Sequence, residues 1–226
     1  MYINNKTLDD FGISVVTIFD LQQSNYKLYS QNWNLNQISP LHGIHKEDFR
    51  NLDIEFLFES TSKEELIKKI SIFTEEVKQC TIKRNNLFYD IEMDGSLSSS
   101  QINSFAMLVS HKFIVIDVYE DEKSITTTKN TTININSPKP CYANLELSAS
   151  TSIISYTVTI NDTEIVVKNI KGNETVYIGS GKVVAGGKSK INDVDMFEFP
   201  ILKPGVNNIT VDRDDVNLKI KYNERW

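Results

Sequence analysis

Apolar and polar residues alternate one by one along most of this chain, and a single segment repeats its apolar positions at helical spacing. In "NLDIEFLFES", Asn51 to Ser60, Leu52, Ile54, Phe56 and Phe58 fall on one side of a strand. The next residues, "STSKEELIKKISIFTEEVKQ", change period. Ser62 followed by Glu65 is a capping box, and Leu66, Ile70, Phe73 and Val77 form one stripe down a helix. Glu64 with Lys68 and Glu65 with Lys69 add i,i+4 pairs on its exposed side. The stripe is expected to pack on the neighbouring sheet and not to grip a cofactor. Beyond the helix, "TIKRN", "LFYDIEM" and "SFAMLVSHKFIVIDVYE" are rich in β-branched and aromatic residues and read as strands.

From Asp121 to Pro140 the texture turns polar, Thr/Asn-rich and closed by two prolines, which marks a linker leading into a second sheet. The boundary falls within 123–137, giving domains 1–130 and 131–226. The second half reads as short strands between turn signals spaced about 8–12 residues apart, the pattern of a β-sandwich of jelly-roll or lectin type. Asn161-Asp162 and Gly172-Asn173 suit hairpin turns, since these residues tolerate a left-handed backbone. The fold class expected is mainly β with one helix: an amino-terminal barrel- or sandwich-like domain carrying the helix, and a carboxy-terminal sandwich.

With 226 residues and 40% hydrophobic content, the chain is long enough for two cores. Its net charge of −6 is unevenly spread. Residues 1–122 hold 11 Lys+Arg against 19 Asp+Glu, net −8, and residues 123–226 hold 13 against 11, net +2. That balance lacks the basic stripe of a protein held on nucleic-acid phosphates. The amino terminus shows no basic segment leading into an apolar one, and no apolar run approaches the roughly 20 residues that span a bilayer, so synthesis in a cytoplasm without membrane insertion is expected. Cys80 and Cys141 lie far apart without metal-type spacing and are expected as buried small apolar residues.

Candidate chemistry is sparse. "GSGKVVAGGKS", Gly179 to Ser189, resembles a phosphate-binding loop but has Lys182 where a P-loop needs its first glycine, and strand follows it instead of a helix. A glycine-rich hairpin is expected there. His42 and His45, with Glu47 and Asp48 nearby, follow Pro40 and flank Gly43, which favours a surface loop over a helical metal site. His111 sits in a strand without a nucleophile elbow anywhere in the chain. Alternation sets Asp193 and Asp195 on one strand face, an arrangement suited to Ca²⁺ or to a glycosidase pair, against the simpler reading of a solvated sheet edge. Asp212, Asp214 and Asp215 crowd one turn. No cofactor, metal site or catalytic set emerges.

The closing segment is the most distinctive. In "FPILKPGVNNITV" an apolar run meets a turn in which Pro204 presets φ and Gly205 supplies the positive φ of a type II turn, after which Asn207 is placed to bond neighbouring backbone. Phe199, Pro200, Leu202, Pro204, Gly205, Asn207 and Ile209, followed by a terminal alternating strand ending in Tyr222, Arg225 and Trp226, resemble the usual ending of the distal tail protein family of long-tailed, siphovirus-type phages of Gram-positive bacteria. The order of parts, from "MYINNKTLDDFGI" through the strand and helix to the sandwich, resembles that family too.

The resemblance implies a non-enzymatic virion protein at the tail tip. Its amino-terminal domain would form a hexameric ring, and its galectin-like carboxy-terminal domain would project outward. The partners implied are further copies of itself, the tail tube and tape measure proteins, and a tail fibre or tail-associated lysin, with receptor-binding proteins at the periphery. DNA would pass through such a ring without specific binding, and an acidic ring domain would repel it. The competing reading is a carbohydrate-binding adhesion module acting on the host cell wall, carried by the sandwich and its net positive balance.

Overall fold

The computed structural model describes residues 1–22, 26–29, 44–47 and 49–226; for 26–29, 44–47 and Ser96 it describes the backbone alone. The chain forms two compact units, Met1–Val118 and Tyr119–Trp226. The division falls ahead of the 130/131 boundary expected from composition.

In the first unit the strands are β1 (Tyr2–Ile3), β2 (Lys6–Thr7), β3 (Ile13–Leu21), β4 (Tyr26–Tyr29), β5 (Ile44–Glu47), β6 (Arg50–Glu59), β7 (Gln79–Arg84), β8 (Leu87–Asn103) and β9 (Ala106–Glu120), with helix α1 (Lys63–Glu76) after β6. Seven of them make one antiparallel sheet ordered β2-β1-β7-β8-β9-β6-β3, and β4 pairs with β5 in a separate ribbon. His45 and Glu47 thus lie in a strand, which corrects the loop expected there; the pairing with β4 gives this short polar segment its ladder. Pro40, His42, Gly43 and Asp48 lie outside the described residues.

The helix begins as its capping box dictates. Ser62 accepts a hydrogen bond from the Glu65 N–H at 3.2 Å. The Glu65 carboxylate turns to the Thr61 hydroxyl (2.8 Å) and to Lys69 (3.2 Å). Leu66, Phe73 and Val77 are buried with Ile70 packed beside them, so the stripe read from the sequence is the buried face. It meets Leu52, Ile54, Phe56 and Phe58, the inward side of β6. Phe73 is the centre, with its ring edge-on to Phe11 (5.2 Å), Phe56 (4.8 Å) and Phe58 (5.2 Å).

The second unit comprises β10 (Lys123–Thr127), β11 (Thr131–Ile135), β12 (Cys141–Ser148), β13 (Ile153–Ile160), β14 (Thr163–Ile170), β15 (Thr175–Gly179), β16 (Lys182–Ala185), β17 (Lys188–Ser189), β18 (Val194–Met196), β19 (Ile201–Leu202), β20 (Gly205–Val211) and β21 (Asn217–Tyr222). One sheet runs β10-β21-β12-β15-β16-β17, with β19 also on β12, and the other runs β11-β20-β13-β14-β18. Leu145, Leu147, Val176, Ile178, Leu218 and Ile220 from the first meet Ile133, Val158, Ile160, Ile165, Val167 and Ile209 from the second in one core. This is a β-sandwich. Much of the supposed linker belongs to it, because β10 and β11 pair with β21 and β20.

Asn161-Asp162 closes the β13–β14 hairpin, with Asn161 at φ 54°. Gly172-Asn173 does not make a hairpin as expected. It turns the chain from β14 to β15 in the other sheet, with Asn173 at φ 60°, so its left-handed backbone serves a crossing between layers. Both cysteines are buried and free, as their spacing suggests.

His111 lies in the amino-terminal core, fully buried, stacked on Phe113 (5.8 Å) and edge-on to Phe56 and Phe73. Neither ring nitrogen has a hydrogen-bond partner among the described residues. Burial disfavours the imidazolium and pushes the pKa down to about 4. The unfolded chain takes up this proton near pH 6.5 and the native protein only near 4, so stability is full above 6.5 and falls by about 1.4 kcal/mol per pH unit between the two values. Denaturant unfolding of His111→Leu is expected to lack that part of the slope between pH 6.5 and 5. A stability profile parallel to the wild type contradicts it.

Candidate assembly interface

The closing turn is built around one amide. Leu202 in β19 pairs with Cys141, and the Pro200 carbonyl accepts the Ala143 N–H at 2.9 Å, so the apolar run docks on β12. The chain then reverses at Pro204-Gly205, Gly205 standing at φ 86°. Asn207 is fully buried. Its Nδ2 donates to the carbonyls of Lys203 (2.7 Å), Gly205 (3.0 Å) and Ile133 (3.4 Å), and its Oδ1 accepts from the Lys203 N–H (2.8 Å) and from Asn161 Nδ2 (2.8 Å). One side chain thereby ties the turn to β11 and to the β13–β14 hairpin.

Ile209 is buried between Thr131 and Ile160, and Phe199 packs half-buried against the same core. At the chain's end Arg225 bridges Tyr119 and Lys139, Glu224 is buried against Lys123 (2.9 Å), and Trp226 is about one-third exposed. Leu202, Asn207 and Ile209 of the closing segment are buried in the sandwich, and Val206 is exposed.

The remaining candidates separate. Asp193 sits in a 3-10 turn (Ile191–Asp193) ahead of β18, because the chain does not run on as strand after Ser189. It takes hydrogen bonds from Lys190 (2.8 Å) and Asn169 (2.9 Å), which hold its carboxyl below the usual range. Asp195, in β18, pairs instead with Lys168 at 2.6 Å. The two carboxylates therefore do not share a strand face, and each is neutralised by its own lysine. Asp212 and Asp214 line an open groove of about 480 Å³ with Thr128, Lys129 and Asn130. Asp215 is held beside it by a two-pronged contact from Arg213 (2.6 and 2.7 Å). The glycine-rich segment forms two successive tight hairpins, at Ser180-Gly181 and Gly186-Gly187, all four residues at positive φ. No group of three or more His, Cys, Asp or Glu among the described residues is placed to hold a metal.

What the first unit does offer is backbone. β7 pairs only with residues 87–92 of β8, and the last ladder contact is the Met93 N–H to the Lys78 carbonyl (2.9 Å). Residues 94–103 continue as strand beside β9 with no described strand on their other side. Every described side chain from Asp94 to Phe105 is exposed, Leu97, Ile102 and Phe105 among them, and Asp94 is the only charge. At the far end of the sheet β3 is also an edge, bulged at two places, with Val15 and Ile18 close to half exposed and Asp20 its only charge. Natural edges are normally blunted with charges, proline, bulges or cover, and a long edge with few of these is a template for another chain. The sequence conceals this element, because "DGSLSSSQIN" has little β propensity and one glycine.

The described residues form two mostly β units with one helix. Residues 136–226 match the family described as siphovirus-type tail component, C-terminal domain. Over the whole chain the fold is similar to the crystal structure of the Dit protein of phage SPP1, described as a paradigm of the hub adsorption apparatus in Gram-positive infecting phages. The likeness has a TM-score of 0.77 at 11% identity and covers 100% of this chain and 98% of the other. No curated protein sequence matches the chain.

Replacing Asn207 by Ala removes five hydrogen bonds and strands buried carbonyls, an expected loss of about 2–4 kcal/mol in urea unfolding. A Cβ at Gly205 meets nothing within 4 Å, so Gly205→Ala is expected to cost only the positive φ, about 1 kcal/mol. Equal losses for the two variants contradict this account of the turn.

Proposed function

We propose that this chain is a non-enzymatic tail component of a siphovirus-type phage, a hub at the tail tip whose amino-terminal domains close a ring. The observation that carries the reading is the pairing of a tail-component domain at residues 136–226 with a hub-protein fold over the whole chain. Six copies form the ring. It joins tail tube and tape measure on one side to tail fibre or lysin on the other, and the carboxy-terminal sandwich, read as galectin-like, is the platform for peripheral proteins. Synthesis takes place in the bacterial cytoplasm and the mature location is the virion tail tip. The net charge of −8 over residues 1–122 keeps a DNA-conducting passage from gripping phosphate.

The geometry supplies a way to close the ring. Residues 94–103 of β8 and the edge strand β3 are different surfaces, so joining one to the other is a heterologous contact, which repeats until it closes. Backbone hydrogen bonds supply the affinity and the exposed Leu97, Ile102, Val15 and Ile18 cover the joint.

Lysine at either edge tests this by sedimentation. Leu97→Lys with Ile102→Lys, and separately Val15→Lys with Ile18→Lys, are each expected to leave a folded monomer. Mixing the two variants is expected to restore one intact joint and give a dimer that stops there. Rings formed by both variants alone would place the interface elsewhere.

A further inference from the structure

Residues 223–226, past the end of β21, lie between two other pieces of chain. Arg225 forms bridge pairs with Tyr119 on one side and with Lys139 on the other. The Glu120 N–H donates to the Glu224 carbonyl (3.0 Å), and Asn223 Nδ2 donates to the Glu120 carbonyl (2.9 Å). Tyr119 and Glu120 end β9 and are the first residues of the second unit. Residues 223–226 are thus a strap across the place where the chain enters the sandwich.

The strap does not simply continue the β10–β21 ladder. That ladder sets Lys123 opposite Tyr222 and Thr127 opposite Leu218. Extended in the same register it would bring Tyr119 opposite Trp226, but Tyr119 stands opposite Arg225. One extra residue therefore lies on the entering side, between Glu120 and Lys123, where Asp121 and Glu122 are exposed. Such a bulge interrupts the run of ladder hydrogen bonds, so β10 and β21 can stay paired when the strap does not. The strap is also held by polar groups. On the side of β21 the aliphatic core of the sandwich ends at Tyr222. Beyond it, Glu224 is buried to 2% exposure, and Lys123 Nζ joins its carboxylate (2.9 Å) to that of Glu120 (3.0 Å). These contacts, the hydrogen bond to Glu224 foremost, hold the lysine's pKa above its ordinary value. Lys123 is 41% exposed, however, and an ion pair with one member in water is a weak fastening.

We infer that residues 223–226 are a releasable strap, which opens together with residues 119–122 as one unit while the β10–β21 ladder and the sandwich core stay closed. Segments with few buried apolar contacts are the ones that open below the global unfolding free energy. With the strap closed the chain is fixed to the sandwich from Tyr119 onward. With it open the fixed part begins at Lys123, and residues 119–122, about 13 Å of extended chain, become connector between the two units. A connector of two lengths lets the sandwich shift while the amino-terminal unit keeps its place in an assembly. The strap does not depend on ring closure, so either can fail alone.

Amide hydrogen exchange of the full chain, followed by nuclear magnetic resonance, tests this. The Glu120 amide is expected to be at least about tenfold less protected than the hydrogen-bonded amides of β10 and than those of Leu145 and Leu147 in β12. Asn223→Ala combined with Glu224→Gln removes a hydrogen bond and a charge from the strap. It is expected to lower the protection of Glu120 about a further tenfold and to leave Leu145 and Leu147 as they were. A Glu120 amide as protected as Leu145 in the wild type overturns the inference. So does a double variant whose Glu120 protection is unchanged, or one in which Glu120 and Leu145 lose protection equally.

Discussion

The constraint on which this molecule turns is that every backbone N–H and C=O needs a partner, and an open sheet always leaves two rows without one. In the carboxy-terminal sandwich the burden falls on end strands of five residues, β10 and β11, and of two and three, β17 and β18. In the amino-terminal sheet it falls on the ten residues of β8 past Met93 and on the nine of β3. Neither carries a lysine or proline; each has one aspartate, and β3 is bulged at two places. The proposed ring rests on these edges, and the proposed role rests on the tail-component match over residues 136–226 and the similarity in fold to the Dit protein of phage SPP1.

Each unit holds itself together by a different device. The amino-terminal core is aromatic, with Phe73 brought from the helix onto Phe11, Phe56 and Phe58, and an imidazole kept neutral among them. The carboxy-terminal core is aliphatic and closes through a polar node, Asn207, whose five hydrogen bonds are all satisfied inside the protein. A buried amide of that kind adds specificity of register to what alternating Val and Ile supply as burial. The closing turn is thus held by the hydrogen bonds of Asn207 and the burial of Leu202 and Ile209.

Much of this was legible in the order of residues. The capping Ser62, the Leu66-Phe73-Val77 stripe and the alternation in β6 are local patterns, and local patterns set local structure. So are the positive-φ glycines of the β15–β16–β17 hairpins. What depended on tertiary pairing was not legible. The Thr-rich stretch after Glu122 looks like a linker until β21 and β20 are there to pair with it. Asp193 and Asp195 look paired until a 3-10 turn takes one out of the strand. The serine-rich half of β8 looks like a loop because its strand character comes from β9 alongside.

The central claim is that copies of this chain close into a ring through their amino-terminal domains. Electron micrographs of the purified full-length protein at high concentration test it most directly. The account predicts six-fold rings with a central hole. Particles that remain single chains at every concentration would contradict it.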